Sequence, residues 1–148
     1  MSQWYTKCSW DSTNAKEVDW VDIYQGYLPG DRIIERIRQT QGLNGVKFLR
    51  TIKLGFGVSR IEIEDSVNAE LFEALWPLTA GKRVHKRRYR VPDGELTWEI
   101  DEFLDQPLYL AEVELDAERS PAIPEWLRSH IEREVTDEAA FANVNLAR

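Results

Sequence analysis

The stretch Arg60-Ile61-Glu62-Ile63-Glu64 alternates strictly between charged and apolar side chains. Successive side chains of a β-strand point to opposite faces, so the two isoleucines would share one face and the three charged residues the other. The same alternation recurs in Arg36-Ile37-Arg38, Trp98-Glu99-Ile100-Asp101 and Glu112-Val113-Glu114, and Lys86 and Arg88 would likewise share one face of a strand. The sequence therefore predicts a sheet with one apolar face and one charged face.

Turn signals such as Pro29-Gly30-Asp31 and Pro92-Asp93-Gly94 divide the chain into short segments. Several strands joined by hairpins, without a βαβ rhythm, favour an antiparallel α+β protein. The predicted strands are Gln3–Trp10, Val21–Leu28, Arg32–Gln39, Val46–Lys53, Val58–Asp65, Val84–Val91, Leu96–Phe103 and Leu108–Leu115. Helices are predicted at Asn68–Trp76 with an Asp65 or Ser66 cap, from Pro124 to about Glu132, and from a Thr136 cap to about Ala147.

The length of 148 residues suits one domain, which we expect to span residues 1–148. A net charge of −7 argues against nucleic-acid binding, which needs a positive field. No apolar run approaches the roughly 18–20 residues that span a bilayer, and no secretory leader is visible. The single cysteine, Cys8, cannot form an internal disulfide, so we expect a cytoplasmic protein without membrane contact.

The signs of the charges segregate by strand. Arginine and lysine dominate the strands of Arg36 and Lys86, whereas acidic residues dominate the strands of Asp101 and Glu112. The alternative is an ordinary half-buried sheet with its charges in water. However, like charges on one face of a sheet repel each other unless opposite charges lie nearby. If the sheet closes into a barrel, the charged faces line a tunnel. Carboxylates bind Mg²⁺ or Mn²⁺ and guanidinium groups bind phosphate, so a metal–polyphosphate would satisfy both halves.

The order and spacing of these motifs resemble the CYTH superfamily, the triphosphate tunnel metalloenzymes, and especially the small bacterial members that hydrolyse inorganic triphosphate. The matching stretches include Gln25-Gly26-Tyr27-Leu28, Glu35-Arg36-Ile37-Arg38, Thr51-Ile52-Lys53, Ser59-Arg60-Ile61-Glu62-Ile63-Glu64, Leu75-Trp76-Pro77, Val84-His85-Lys86-Arg87-Arg88-Tyr89, Trp98-Glu99-Ile100-Asp101-Glu102-Phe103, Ala111-Glu112-Val113-Glu114-Leu115 and Phe141-Ala142-Asn143 with Leu146-Ala147.

The resemblance implies an eight-stranded antiparallel β-barrel with a few helices outside, acting on a triphosphate-containing small molecule as a monomer or homodimer. It implies Mg²⁺ or Mn²⁺ as cofactor, and catalytic roles for Lys7, Glu62 and Glu114. The implied phosphate ligands are Arg36, Arg38, Lys53, Arg60, Lys86 and Arg88. The implied metal-facing carboxylates are Glu62, Glu64, Glu99, Asp101, Glu112 and Glu114.

The first strand departs from the family pattern. The family carries Glu-x-Glu-x-Lys, whereas this chain has Gln3-Trp4-Tyr5-Thr6-Lys7, which keeps only the lysine. The sequence favours a metal-dependent triphosphatase. Because both glutamates are missing, a protein that binds polyphosphate or nucleotide without hydrolysing it is an alternative. A class IV adenylate cyclase or a thiamine triphosphatase is a further alternative, since these relatives share the tunnel.

Overall fold

The computed structural model describes residues 2–10, 18–54, 61–116 and 121–148. Nine strands in these ranges form an antiparallel sheet, accompanied by short helices. The chain divides into two compact units, which are described separately. Unit 1 consists of Met1–Val21 and Lys86–Phe141, and unit 2 consists of Asp22–His85 and Ala142–Arg148.

Unit 2 contains four consecutive antiparallel neighbours. They are β2 (Asp19–Tyr27, which begins in unit 1), β3 (Ile34–Gly42), β4 (Gly45–Leu54) and β5 (Ile61–Ser66). They pair in sequence order, and Gly45, with φ of 96°, closes the tight turn between β3 and β4. The four predicted strands of this region are confirmed within the described residues, although β3 begins at Ile34 and runs beyond Gln39 to Gly42. Residues 58–60 of the strand predicted at Val58–Asp65 lie outside the described residues.

A helix covers part of the apolar face of unit 2. Helix α1 (Ala69–Leu75) continues into a 3-10 turn at Trp76–Thr79. The ring of Phe72 lies 5.1 Å from the rings of both Phe48 and Trp76. The predicted helix is confirmed, but its cap is Asn68, whose Oδ1 accepts from the Leu71 N–H at 2.8 Å, because Asn68 immediately precedes the first turn.

The same face brings β2 against the 3-10 turn at Gly26. A Cβ on Gly26 would lie 2.5 Å from the Cβ and Oγ1 of Thr79, so only glycine fits without displacement of the turn. The Thr79 hydroxyl is itself engaged, because it accepts from Arg83 Nε at 3.0 Å. Arg83 Nη2 donates to the Trp76 carbonyl at 2.8 Å.

Unit 1 contains β6 (Arg83–Asp93, which begins in unit 2), β7 (Leu96–Phe103), β8 (Tyr109–Leu115), β1 (Ser2–Cys8) and β9 (Ile131–Glu134). They are neighbours in that order, and their described pairings are antiparallel. Helix α2 (Glu125–Arg128) places Leu127 in the apolar core. That core also holds Cys8, Tyr89, Trp98, Ile100, Ala111, Val113 and Leu115.

The C-terminal region differs most from the sequence prediction. The helix expected from Pro124 to Glu132 ends at Arg128, and Ile131–Glu134 instead pairs with β1, so the described part of the chain has nine strands rather than eight. Pairing with β1 satisfies backbone groups that would otherwise be unpaired at an edge. The final predicted helix is reduced to a 3-10 turn at Ala139–Phe141 and α3 (Asn143–Leu146).

Thr136 does not cap a helix. Its hydroxyl accepts from the Tyr5 N–H at 3.1 Å and donates to Glu134 at 2.9 Å, so it fastens the segment after β9 to β1. Of the helices in the described ranges, none is long and apolar enough to cross a membrane.

Candidate functional site

The charged face of unit 2 follows directly from strand register. Tyr27 is paired with Arg36, and Gln25 with Arg38, across β2 and β3. Arg36 is paired with Thr51 across β3 and β4, and Thr51 with Glu64 across β4 and β5. Directly paired residues of an antiparallel sheet lie on the same face. One face of unit 2 therefore carries the predicted phosphate ligands Arg36 and Arg38 beside neutral polar groups.

The guanidinium of Arg38 is held by Gln25. Oε1 of this glutamine accepts from Arg38 Nε at 2.9 Å and from Nη2 at 2.7 Å. Nε2 of Gln25 donates to the hydroxyl of Tyr27 at 3.3 Å. Burial raises the pKa of Tyr27, although Arg36 and Arg38 oppose this, so the phenol stays neutral. Neutral groups thus fix the position of the cation in these contacts.

Arg36 is 9% exposed and lies against Thr51, which accepts from its Nη2 at 3.2 Å. Thr51 donates onward to Glu64 Oε1 at 3.1 Å, and Glu64 lies 3.9 Å from Arg36 Nη2. Nε of Arg36 is buried without a hydrogen-bond partner in the described part of the chain. A buried guanidinium N–H without an acceptor is costly, and an anion would relieve that cost.

Lys53 and Glu62 were also predicted for the site. They are cross-strand partners on β4 and β5. Lys53 is half-buried, whereas Glu62 and Glu64 are exposed on β5. The structure therefore places both carboxylates on the same face as Arg36 and Arg38. Arg60, the remaining predicted phosphate ligand of this region, lies outside the described residues.

The second set of predicted residues forms a compact charge cluster in unit 1. Lys86 is fully buried, and its Nζ lies 2.7 Å from Asp101 Oδ2. Arg88 binds the same carboxylate through two contacts, Nε to Oδ1 at 2.7 Å and Nη2 to Oδ2 at 2.9 Å. Burial alone would raise the pKa of Asp101, but Arg88 and Lys86 outweigh it and lower that pKa below its usual range. Asp101 therefore remains ionised as the counter-ion of two cations.

Two further carboxylates surround Arg88. Glu99 lies 3.3 Å from Arg88 Nη1, and Glu112 lies 3.8 Å from Nη2. Glu99 and Glu112 are direct cross-strand partners on β7 and β8. Burial raises the pKa of Glu112 against the pull of Arg88, and the charges of Asp101 and Glu99 add to the rise. This cluster is rich in negative charge and would gain from an additional cation.

The first strand contributes Tyr5 to this cluster. Tyr5 is paired with Glu112 across β1 and β8. Burial, followed by the charge of Glu112 and a hydrogen bond to it, raises the pKa of the Tyr5 phenol. The phenol is therefore a neutral donor to Glu112.

Two of the predicted catalytic residues, Lys7 and Glu114, have side chains that are at least partly exposed. Lys7 pairs with Glu132 of β9 at 3.3 Å, with side chains 37% and 54% exposed. Glu114 is exposed on β8, opposite Gln3 of β1 in register. Glu132 belongs to the strand that the sequence prediction missed, so this contact was not expected.

The fit of a divalent cation depends on which oxygens are available. No group of three His, Cys, Asp or Glu side chains is arranged to hold a metal in the described residues. Mg²⁺ usually needs only one or two protein carboxylates, with phosphate oxygens and water completing its shell. Glu99 and Glu112 match this requirement, whereas the Asp101 carboxylate is already bonded to Lys86 and Arg88.

Sequence reasoning did not single out Gln25, Tyr27 and Thr51 as members of the site. Gln25 and Thr51 are fully or almost fully buried, although both are polar. A polar residue in the middle of a strand whose same-face neighbours are apolar or aromatic, as in Ile23-Tyr24-Gln25-Gly26-Tyr27, is the signal that could have identified Gln25.

Comparisons with known proteins agree with this architecture. No protein-family model matches the chain. An inorganic triphosphatase of Nitrosomonas europaea is 39% identical over 140 residues, covering 88% of this chain and 87% of that protein. One of Acetivibrio thermocellus is 32% identical over 128 residues, covering 84% and 78%.

Solved structures extend the likeness to three dimensions. The crystal structure of an inorganic triphosphatase matches with a TM-score of 0.72 and 30% identity, covering 99% of this chain and 97% of that one. A Pyrococcus horikoshii protein matches with a TM-score of 0.53 at 18% identity, covering 79% and 80%, which shows a shared fold.

Proposed function

Because this chain belongs to the CYTH superfamily, among its small bacterial inorganic triphosphatases, we propose that it binds and hydrolyses inorganic triphosphate. Water would add to a terminal phosphorus, the bridging P–O bond would break, and phosphate and diphosphate would leave. The observation that carries this proposal within the molecule is the Arg36 and Arg38 pair on one face, where Thr51 accepts from Arg36 and Gln25 from Arg38. Such cations keep the charge that a polyphosphate requires.

Catalysis of this reaction is mainly a matter of position and charge. Arg36 and Arg38 would bind phosphate oxygens, with Lys53 and Arg60 as further ligands. Lys86 and Arg88 were predicted as phosphate ligands too, but their contacts with Asp101 give them a resting counter-ion. We assign them a secondary share of phosphate binding.

The carboxylates would hold the metal. Glu99 and Glu112 are the first candidates, and Glu62, Glu64 and Glu114 complete the predicted acidic set, with Asp101 as counter-ion. A bound Mg²⁺ or Mn²⁺ would neutralise charge on the phosphate oxygens. Mn²⁺ titration by calorimetry would measure this directly, with Glu112→Gln as the test variant and Glu102→Gln, on the face of β7 opposite Glu99 and Asp101, as the control. Equal Mn²⁺ affinity in all three proteins would contradict the assignment.

The tunnel is part of the proposal. The charged side chains of each unit share one face, and the family resemblance implies that such faces enclose one substrate. Hydrogen exchange with and without triphosphate tests this. Protection of β3 together with β7 and β8 supports one enclosed substrate, and protection confined to β3 contradicts it.

The activity itself is tested by phosphate release. Pure protein, triphosphate and Mg²⁺ or Mn²⁺ should release phosphate, and the metal-free reaction should not. Arg50→Ala is a matched control for Arg38→Ala, because Arg50 is paired with Ile37 on the opposite face and binds Glu35 at 3.0 Å. Binding by calorimetry without any phosphate release would favour the non-catalytic alternative, for which the neutral Tyr5 beside Glu112 is the specific observation.

Three sequence predictions accompany this function. Residues 1–148 would act as one functional domain, the protein would work in the cytoplasm, and it would be a monomer or homodimer. Fractionation of cells tests the cytoplasmic location, and light scattering of the pure protein tests the oligomeric state. Activity from separately produced units would contradict the first.

A further inference from the structure

Gln25 is an unusual residue for its position. It is completely buried in the middle of β2, and a buried amide is costly unless its hydrogen bonds are made. Its side chain makes three hydrogen bonds to the charged face, two from Arg38 and one to Tyr27. The residue type therefore matches the needs of Arg38 better than those of an apolar core.

The contact fixes the plane of the Arg38 guanidinium. One oxygen receives both the Nε and an Nη2 hydrogen, so rotation about the last bonds of the arginine is restricted. Two of the five guanidinium donors are accounted for in this way. Holding a group in one orientation before the substrate arrives lowers the entropic cost of binding.

The amide differs from a carboxylate in one respect that matters for an anion. In unit 1 the same type of contact to Arg88 comes from Asp101, whose negative charge offsets the cation. Gln25 has the shape of glutamate but no charge, so its contact orients Arg38 without cancelling its positive charge. Tyr27 adds a second neutral group to the same network.

The geometry points to Gln25 as a positioning residue that orients Arg38 toward a triphosphate while preserving the attraction for its negative charge. This inference rests on the proposed function. A purely structural role would require only the shape and the hydrogen bonds of residue 25. The inferred role requires its neutrality as well.

Gln25→Glu separates the two roles, because it keeps the shape and the acceptor but adds one negative charge. We expect KM for triphosphate to rise about 10- to 100-fold, with kcat changed less than about threefold, since a charge in a buried site acts strongly on an anion. The urea midpoint should stay the same or rise. Gln41→Glu is the matched control, because Gln41 is exposed on the opposite face of β3 and receives the same charge change.

Tyr27→Phe and Gln25→Leu provide a second route if Gln25→Glu does not fold. Tyr27→Phe removes one partner of Gln25 and should raise KM by about two- to fivefold. Gln25→Leu removes the acceptor and should raise KM further. Equal KM values for wild type and both variants would overturn the inference.

Calorimetry with inorganic triphosphate in EDTA separates failure of the inference from failure of the proposed function. If wild type hydrolyses triphosphate but Gln25→Glu has the wild-type KM, the inference alone fails. If wild type releases no phosphate but binds triphosphate more tightly than Gln25→Glu, the proposed function alone fails. If wild type neither binds nor hydrolyses triphosphate, both fail.

Discussion

The two charged clusters look alike in sequence but differ in how their cations are held. In unit 2, the neutral Gln25 accepts from Arg38 and the neutral Thr51 accepts from Arg36, while the Glu64 carboxylate lies farther from Arg36, at 3.9 Å. In unit 1, one carboxylate, Asp101, contacts both Lys86 and Arg88. A neutral acceptor orients a cation and keeps its charge, whereas a carboxylate stabilises the cation and offsets that charge. The charged face of unit 2 is therefore better suited to bind an anion. In unit 1, the charge of the cations is already offset by Asp101, and their contacts stabilise the fold.

The largest expected effect breaks the unit 1 cluster. Asp101→Asn should lower the free energy of unfolding by about 3–5 kcal/mol, because it leaves two buried cations without this counter-ion. Glu99→Gln should lower it by about 1 kcal/mol or less, because the Glu99 side chain is 26% exposed and Arg88 keeps Asp101 as a counter-ion. Urea denaturation of the three proteins measures both values. Similar losses for the two variants would show that burial of Asp101 has no special importance.

The pH dependence of stability sharpens the same comparison. The pKa of Asp101 is lowered in the folded protein, so its contribution is complete above the ordinary aspartate pKa near 4. The contribution is lost as the pH falls from there through the folded value. The stability difference between wild type and Asp101→Asn should therefore be equal at pH 7 and about 5, and should shrink as the pH falls below about 4. A difference that shrinks already between pH 7 and about 5 would contradict this.

The next effect concerns the unit 2 arginines. Arg38→Ala should lower kcat/KM for triphosphate about 100-fold or more, because it removes a charge-assisted phosphate contact. Arg38→Lys should recover only part of the activity, since lysine lacks the planar fork that Gln25 orients. Steady-state phosphate release checks both. If Arg88→Ala, in a variant shown to be folded, lowers kcat/KM more than Arg38→Ala does, the ranking of the clusters is wrong.

The smallest effect is expected at Glu64, the exposed carboxylate that lies 3.9 Å from Arg36. Glu64→Gln should raise the Mn²⁺ concentration that gives half-maximal activity by a few-fold, because one of the predicted metal-facing charges is lost. Its effect on the free energy of unfolding should be at most about 0.5 kcal/mol, since Glu64 is 48% exposed on its side chain. An unchanged Mn²⁺ requirement would remove Glu64 from the metal set.

The alternation of side chains was predictable because it is a local property with a period of two residues. From it followed the shared faces of Arg36 with Arg38, and of Glu99 with Asp101. The family resemblance added the fold, and the comparisons confirm that family. The roles of the individual site residues stay predictions.

Which residues and strands contact each other was not predictable in the same way. Gln25 meets Arg38 only through the register of β2 and β3, which is a long-range property of the folded chain. The short strand Ile131–Glu134 has only four residues, and its sequence reads equally well as the end of a helix. Its pairing with β1 depends on an edge that exists only after folding.

The close approach of Gly26 to Thr79 offers a genetic tool. Gly26→Ala would force the 3-10 turn away from β2, because the added methyl group would lie 2.5 Å from the threonine. The substitution leaves the charge of the protein unchanged and lies on the face away from Arg38. A strain carrying this single codon change should lose the protein on warming and retain it in the cold, which would allow the cellular need for the gene to be switched by temperature alone.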